Sequence, residues 1–174
     1  MRKLFFILLV LFSQSAISKI YSVKKNKLVV RVSFSPPKDF QIKTNFLNTP
    51  MIIWDKTLLH HGPSVGIYPV RGIQKGFANK LSAKSYFKEF EKEQRQNLKS
   101  LKAKKIKFGK TEVSNEMLRF QVSYKLGNTK IYLTETHKTC LKNSLKIRTI
   151  VKNIDRKKFY PVMDKLVKEI SCVK

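Results

Sequence analysis

Between residues 28 and 35 the chain alternates. Leu28, Val30, Val32 and Phe34 fall at every second position, and the residues between them turn polar towards Ser35. A period of two predicts a strand. Pro36-Pro37 ends it, because proline cannot donate a ladder hydrogen bond. Phe40–Ile42 reads as a short extended piece, Met51–Trp54 as a second apolar strand, and Ser64–Val70 as a third near a sheet edge. His60-His61-Gly62-Pro63 reads as a turn, and 72–80 as a loop containing Gly72 and Gly76.

The period then changes. Ala83, Phe87, Phe90, Gln94, Leu98 and Leu101 lie on one face of a predicted helix over 82–101, with Ser82 as its N-cap. Strands are predicted again over 106–113, 117–124, 130–137 and 145–151. Leu126-Gly127-Asn128-Thr129 makes a hairpin turn, since Gly and Asn accept positive φ. The turn before the last of these strands holds Cys140 and Asn143-Ser144. A terminal helix follows, capped by Asp155, with Phe159, Met163, Leu166 and Ile170 at helical spacing and Cys172 near its end. The expected fold class is α+β. A mainly antiparallel sheet of about six strands packs with a long central helix and a C-terminal helix.

The first eighteen residues stand apart. Arg2 and Lys3 precede an unbroken apolar run, Leu4–Phe12, and Ala16 and Ser18 are small where a signal peptidase cuts. This is the order of a secretory signal peptide, and the run is too short for a permanent bilayer anchor. The expected organisation is a signal peptide over 1–18 and a single basic domain over 19–174. The product would be exported to a bacterial periplasm or the extracellular space, and be soluble or at most peripheral.

Charge changes the picture most. The chain carries 37 basic residues against 11 acidic, a net +26. Losing Arg2 and Lys3 still leaves +24. Such a field draws anionic partners: a membrane surface, a polymer or an acidic protein. One basic stripe, Lys84, Lys88, Lys92, Arg95, Lys99 and Lys102, runs along the helix. A second stretch continues through Lys104, Lys105, Lys107 and Lys110 without an acid. Arg156-Lys157-Lys158 opens the terminal helix, where positive charge opposes the macrodipole. Lysine outnumbers arginine 30 to 7. Nucleic-acid readers use arginine forks and exposed aromatics, so nucleic acid is the less favoured partner. The biased composition is also one an AT-rich genome would write.

Candidate chemistry is sparse. Cys140 and Cys172, the two cysteines, are expected to pair in an oxidising compartment. His60, His61 and His137 are too scattered to imply a metal or an acid–base pair, and no cofactor is expected. Glu112, Glu116 and Glu135 read as solvent-face residues of the strands. No glycine-rich phosphate loop or G-x-S-x-G elbow occurs. The leading expectation is a monomeric, non-catalytic binding or accessory protein. The alternatives are a small secreted hydrolase, nuclease-like and acting on an anionic polymer, or a secreted effector.

The order of elements resembles the Mog1/PsbP-like family. Val32-Ser33-Phe34-Ser35-Pro36-Pro37-Lys38-Asp39-Phe40 is similar to its opening strand and P-x-x-aromatic step, with Phe40 where the family usually has Trp. Gly66-Ile67-Tyr68-Pro69-Val70 resembles the short strand before the long helix, and 117–151 the three-stranded meander. The resemblance covers about 27–172. It implies an α+β sandwich that binds proteins or sits at membrane-associated complexes, with no shared catalytic residues.

Overall fold

The computed structural model describes residues 18–46, 48–56, 62–71, 80–114, 116–140 and 143–174. The apolar leader, His60, His61 and the Gly72–Gly76 loop lie outside these residues.

Among the described residues, eleven strands and two helices follow one another. They are β1 (Lys19–Lys25), β2 (Leu28–Phe34), β3 (Phe40–Phe46), β4 (Thr49–Asp55), β5 (Ser64–Arg71), α1 (Lys80–Ser100), β6 (Lys104–Phe108), β7 (Glu112–Val113), β8 (Met117–Leu126), β9 (Thr129–Cys140), β10 (Asn143–Lys152), α2 (Arg156–Glu169) and β11 (Ser171–Val173). All pairings between them are antiparallel. The strands form two sheets rather than one of about six. Eight belong to a large sheet ordered β3-β4-β5-β10-β9-β8-β6, with β7 beside β8, and three to a small one ordered β1-β2-β11.

The large sheet carries a hydrophobic cluster on each face. On β10, Leu145, Ile147 and Val151 join β2, β4, β5 and α2 in the first cluster. Leu133 of β9 lies in register with Ile150, the neighbour of Val151, and belongs to the second cluster with Phe90 and Leu98 of α1 and Phe120 of β8. Alternate residues point to opposite faces. The clusters therefore lie on opposite sides. On one face the small sheet covers β4 and β5, and α2 covers β10 and reaches across to Arg119 of β8; on the other face α1 covers the β8–β9 half.

Several local expectations change. β5 lies between β4 and β10 rather than at an edge, and Pro69 fits because pairing with β4 spans only residues 64–67. The strand expected over 106–113 is two, β6 and β7, separated by residues 109–111; within β6 the register shifts between Lys104 and Lys107, where Lys105 takes φ 53°. α1 starts at Lys80, so Ser82 is inside it and not its cap. Leu101 follows the helix and is 57% exposed rather than buried. Asp155 holds the N-cap position of α2, but its side chain makes no capping hydrogen bond. α2 ends at Glu169, where Lys138 Nζ reaches from β9 to the carbonyls of Lys168 (3.0 Å) and Ile170 (2.8 Å). Those are acceptors a helix end leaves open. Cys140 therefore closes β9 instead of sitting in a turn, and Cys172 lies on β11. The two form a disulfide across a Cα–Cα distance of 5.5 Å.

Candidate functional site

The helix stripe is real and solvated. α1 buries Ala83, Phe90, Gln94 and Leu98, with Phe90 stacked on Phe120 at 4.9 Å between ring centres. That packing turns Lys84, Lys88, Lys92, Arg95 and Lys99 outward, all exposed. Arg95 pairs with Glu91 at 2.6 Å and lies over the Phe108 ring.

The rest of the basic set divides. Lys102, Lys104, Lys105, Lys107 and Lys110 are all exposed. Ile106 and Phe108 pack into the cluster under α1. Lys107, between them and in register with Ser123, therefore points to the other face of the sheet. The ten residues do not make one continuous surface.

Where the eleven acids go is informative. The ion pairs of described residues join Glu91 to Arg95, Glu112 and Asp164 to Arg119, Glu93 and Glu135 to Arg148, Glu135 to His137, Asp164 to Lys168 and Glu169 to Lys165. Three arginines hold five of the six acids in these pairs. None of the nine lysines in the expected basic surface pairs with a described acid. Two of them also occupy costly backbone positions. Lys102 has φ 54° in a helix-ending motif: its N–H donates to Lys99 O and that of Ala103 to Leu98 O, both at 2.9 Å. Lys105 has φ 53°. Left-handed backbone costs an ordinary side chain on the order of 1–2 kcal/mol, and Gly or Asn would suit better. The other three such non-glycine positions, Asn26, Asn45 and Asn48, use asparagine.

The sequence reading missed a buried polar network. Glu135 is 3% exposed, not on the solvent face. Its carboxylate accepts from His137 Nε2 at 2.8 Å and from Arg148 Nε at 2.6 Å, and Arg148 donates a further hydrogen bond to Glu93 of α1 at 2.8 Å. Burial pushes the Glu135 carboxyl up. The His137 hydrogen bond and the Arg148 charge outweigh it and hold the group down to about 2. The network borders a cavity of about 200 Å³ between α1, β5 and β9. A signal existed: Glu135 and His137 continue the parity of Ile131 and Leu133, the inward set. His137 is thus a mid-strand residue held by Glu135, and no described residue bonds its Nδ1. Among the described residues no group of three or more His, Cys, Asp or Glu could hold a metal. No helix among them is long and apolar enough to cross a membrane.

No family model matches the sequence, and no curated protein matches it. Among solved structures the chain is similar to the solution structure of cyanobacterial PsbP (CyanoP) from Synechocystis sp. PCC 6803. The TM-score is 0.62 at 13% identity, over 91% of this chain and 94% of that one. The fold is PsbP-like. At that identity the likeness speaks for the architecture alone, a mostly antiparallel α+β structure with two helices. It carries no residue roles across.

Proposed function

We propose that this chain is an exported, non-catalytic binding or accessory protein of a bacterial cell envelope, related to the Mog1/PsbP-like family. It holds an anionic membrane, polymer or acidic protein against the lysines of α1 and of residues 99–110. The observation that carries this reading is the separation of charges. Five of the eleven carboxylates pair with Arg119, Arg148 and Arg95, while the nine lysines are exposed and in no ion pair among the described residues. Lysine at two left-handed positions supports the same view. The disulfide and the apolar leader support export, since disulfides persist in oxidising compartments.

The test is co-sedimentation of the exported protein with anionic vesicles over a salt series. Each lysine near such a surface contributes about 1 kcal/mol, and screening removes it. Changing Lys84, Lys88, Lys92 and Lys99 together to Gln, and separately Lys102, Lys104, Lys105 and Lys107, should each weaken attachment by at least about 100-fold at low salt. Unchanged attachment in both sets would sink the reading. Turnover of an RNA or polyanion substrate that His137→Ala abolishes would favour the hydrolase instead.

A further inference from the structure

We infer that the groove between the first turn of α2 and β6 is a binding site for a phosphate group. It lies beside α2 on the same sheet face, towards the β6 edge, and has a volume of about 140 Å³. The Arg156 guanidinium carbon sits 4.1 Å from the Tyr132 ring centre and 5.5 Å from that of Tyr160. Two rings, one from β9 and one from α2, thus flank it. No ion pair among the described residues involves Arg156; it hydrogen-bonds to the Tyr132 hydroxyl, and the guanidinium carries further N–H donors besides that one.

Other donors converge from different elements. Lys107 lines the groove from β6 and Ser123 from β8. Lys130 Nζ lies 4.9 Å from the Tyr132 ring centre. Hydrogen bonding and charge from Lys130, with the charge and a hydrogen bond of Arg156, outweigh burial and hold the Tyr132 hydroxyl below its ordinary range. The local potential is therefore strongly positive. Donors from three elements suit a tetrahedral oxyanion better than a planar carboxylate. A guanidinium can bind two oxygens bidentately, and an ammonium and a hydroxyl can take the others.

The site does not depend on the helix stripe, with which it shares no residue. It has only Lys107 in common with the wider basic surface. It differs from a diffuse field in one respect: geometry matters as well as charge. Arg156→Lys keeps the net charge and loses the planar fork.

The experiment is an amide-shift NMR titration of the exported protein with inorganic phosphate and then glycerol 3-phosphate, at constant ionic strength. Saturable shifts confined to residues around 107, 123, 132 and 156–160 are expected. Arg156→Lys should weaken binding by about tenfold and Lys107→Gln similarly. Changing Lys84, Lys88 and Lys92 to Gln should leave it within about twofold, so the site stands or falls apart from the helix surface. Shifts that are absent, that never saturate, or that persist unchanged in Arg156→Lys would overturn the inference. Vesicles separate the sources. If glycerol 3-phosphate competes with phosphatidylglycerol vesicles, and Arg156→Lys weakens attachment to them, the phosphate is a lipid headgroup. If only the soluble ester binds through Arg156, it is a free phosphate ester.

Discussion

Each face of the large sheet is tied to its helix by one arginine, and the two ties are built in opposite senses. On the α2 side Arg119 is the buried member, 6% exposed, and pairs with Asp164 of α2 at 2.9 Å and Glu112 of β7 at 3.3 Å. Both carboxylates are more accessible than the cation they serve. On the α1 side the buried member is the acid, Glu135, and Arg148 bridges it to Glu93 on the helix. A buried charge is costly when its partner is removed, and a rim charge is not. What each tie contributes therefore depends on which end is cut.

Four measurements would break or sharpen that contrast. The largest effect should come from Arg148→Met, which leaves Glu135 buried with only His137. We expect a loss of about 3–5 kcal/mol in urea unfolding. A loss below about 1 kcal/mol would show that His137 alone satisfies the carboxylate.

Acid should act on the same tie. The carboxyl of Glu135 is held down to about 2 in the folded chain, below its ordinary 4.5. Its contribution is thus complete above pH 4.5 and lost as pH falls towards 2. It amounts to about 3 kcal/mol. Glu135→Gln should be less stable at neutral pH and show a flatter acid limb. An unchanged limb would remove Glu135 as its source.

Third comes Asp164→Asn, which leaves Arg119 with Glu112 and the Thr136 hydroxyl. About 1–2 kcal/mol is expected, read as a lower urea midpoint. A loss equal to that of Arg148→Met would erase the distinction between the two ties. The smallest effect belongs to Glu112→Gln, an exposed partner at 3.3 Å, at under about 1 kcal/mol by thermal melting. A larger loss would mean that β7 depends on this pair.

Local patterning made part of the fold legible. The alternation of 117–124 and 130–137 around Gly127-Asn128 marked the β8–β9 hairpin, and the Ala83–Leu98 period marked α1. The apolar leader, read as a signal peptide, made the Cys140–Cys172 pair readable. What escaped has non-local causes. β1 offers only Val23 fully and Tyr21 partly to the core, with Tyr21 stacked on Phe34 at 4.5 Å, so its seven residues look polar until β2 pairs with them. β11 is three residues long and exists because β2 presents an edge. For the site, the exposed lysines were legible one by one. Their division between two sheet faces was not, because it turns on the bulge at Lys105. The Arg156 clamp needs a tyrosine 24 positions away, which no spacing rule would select.

The disulfide would also decide what a proteolytic cut does to the chain. Its cysteines are 32 positions apart and enclose β10 and α2 entirely. The turn between those two elements bears Ile154, 87% exposed, a ready place for a cut. A chain nicked there would still travel as one molecule, its two pieces parting only after reduction.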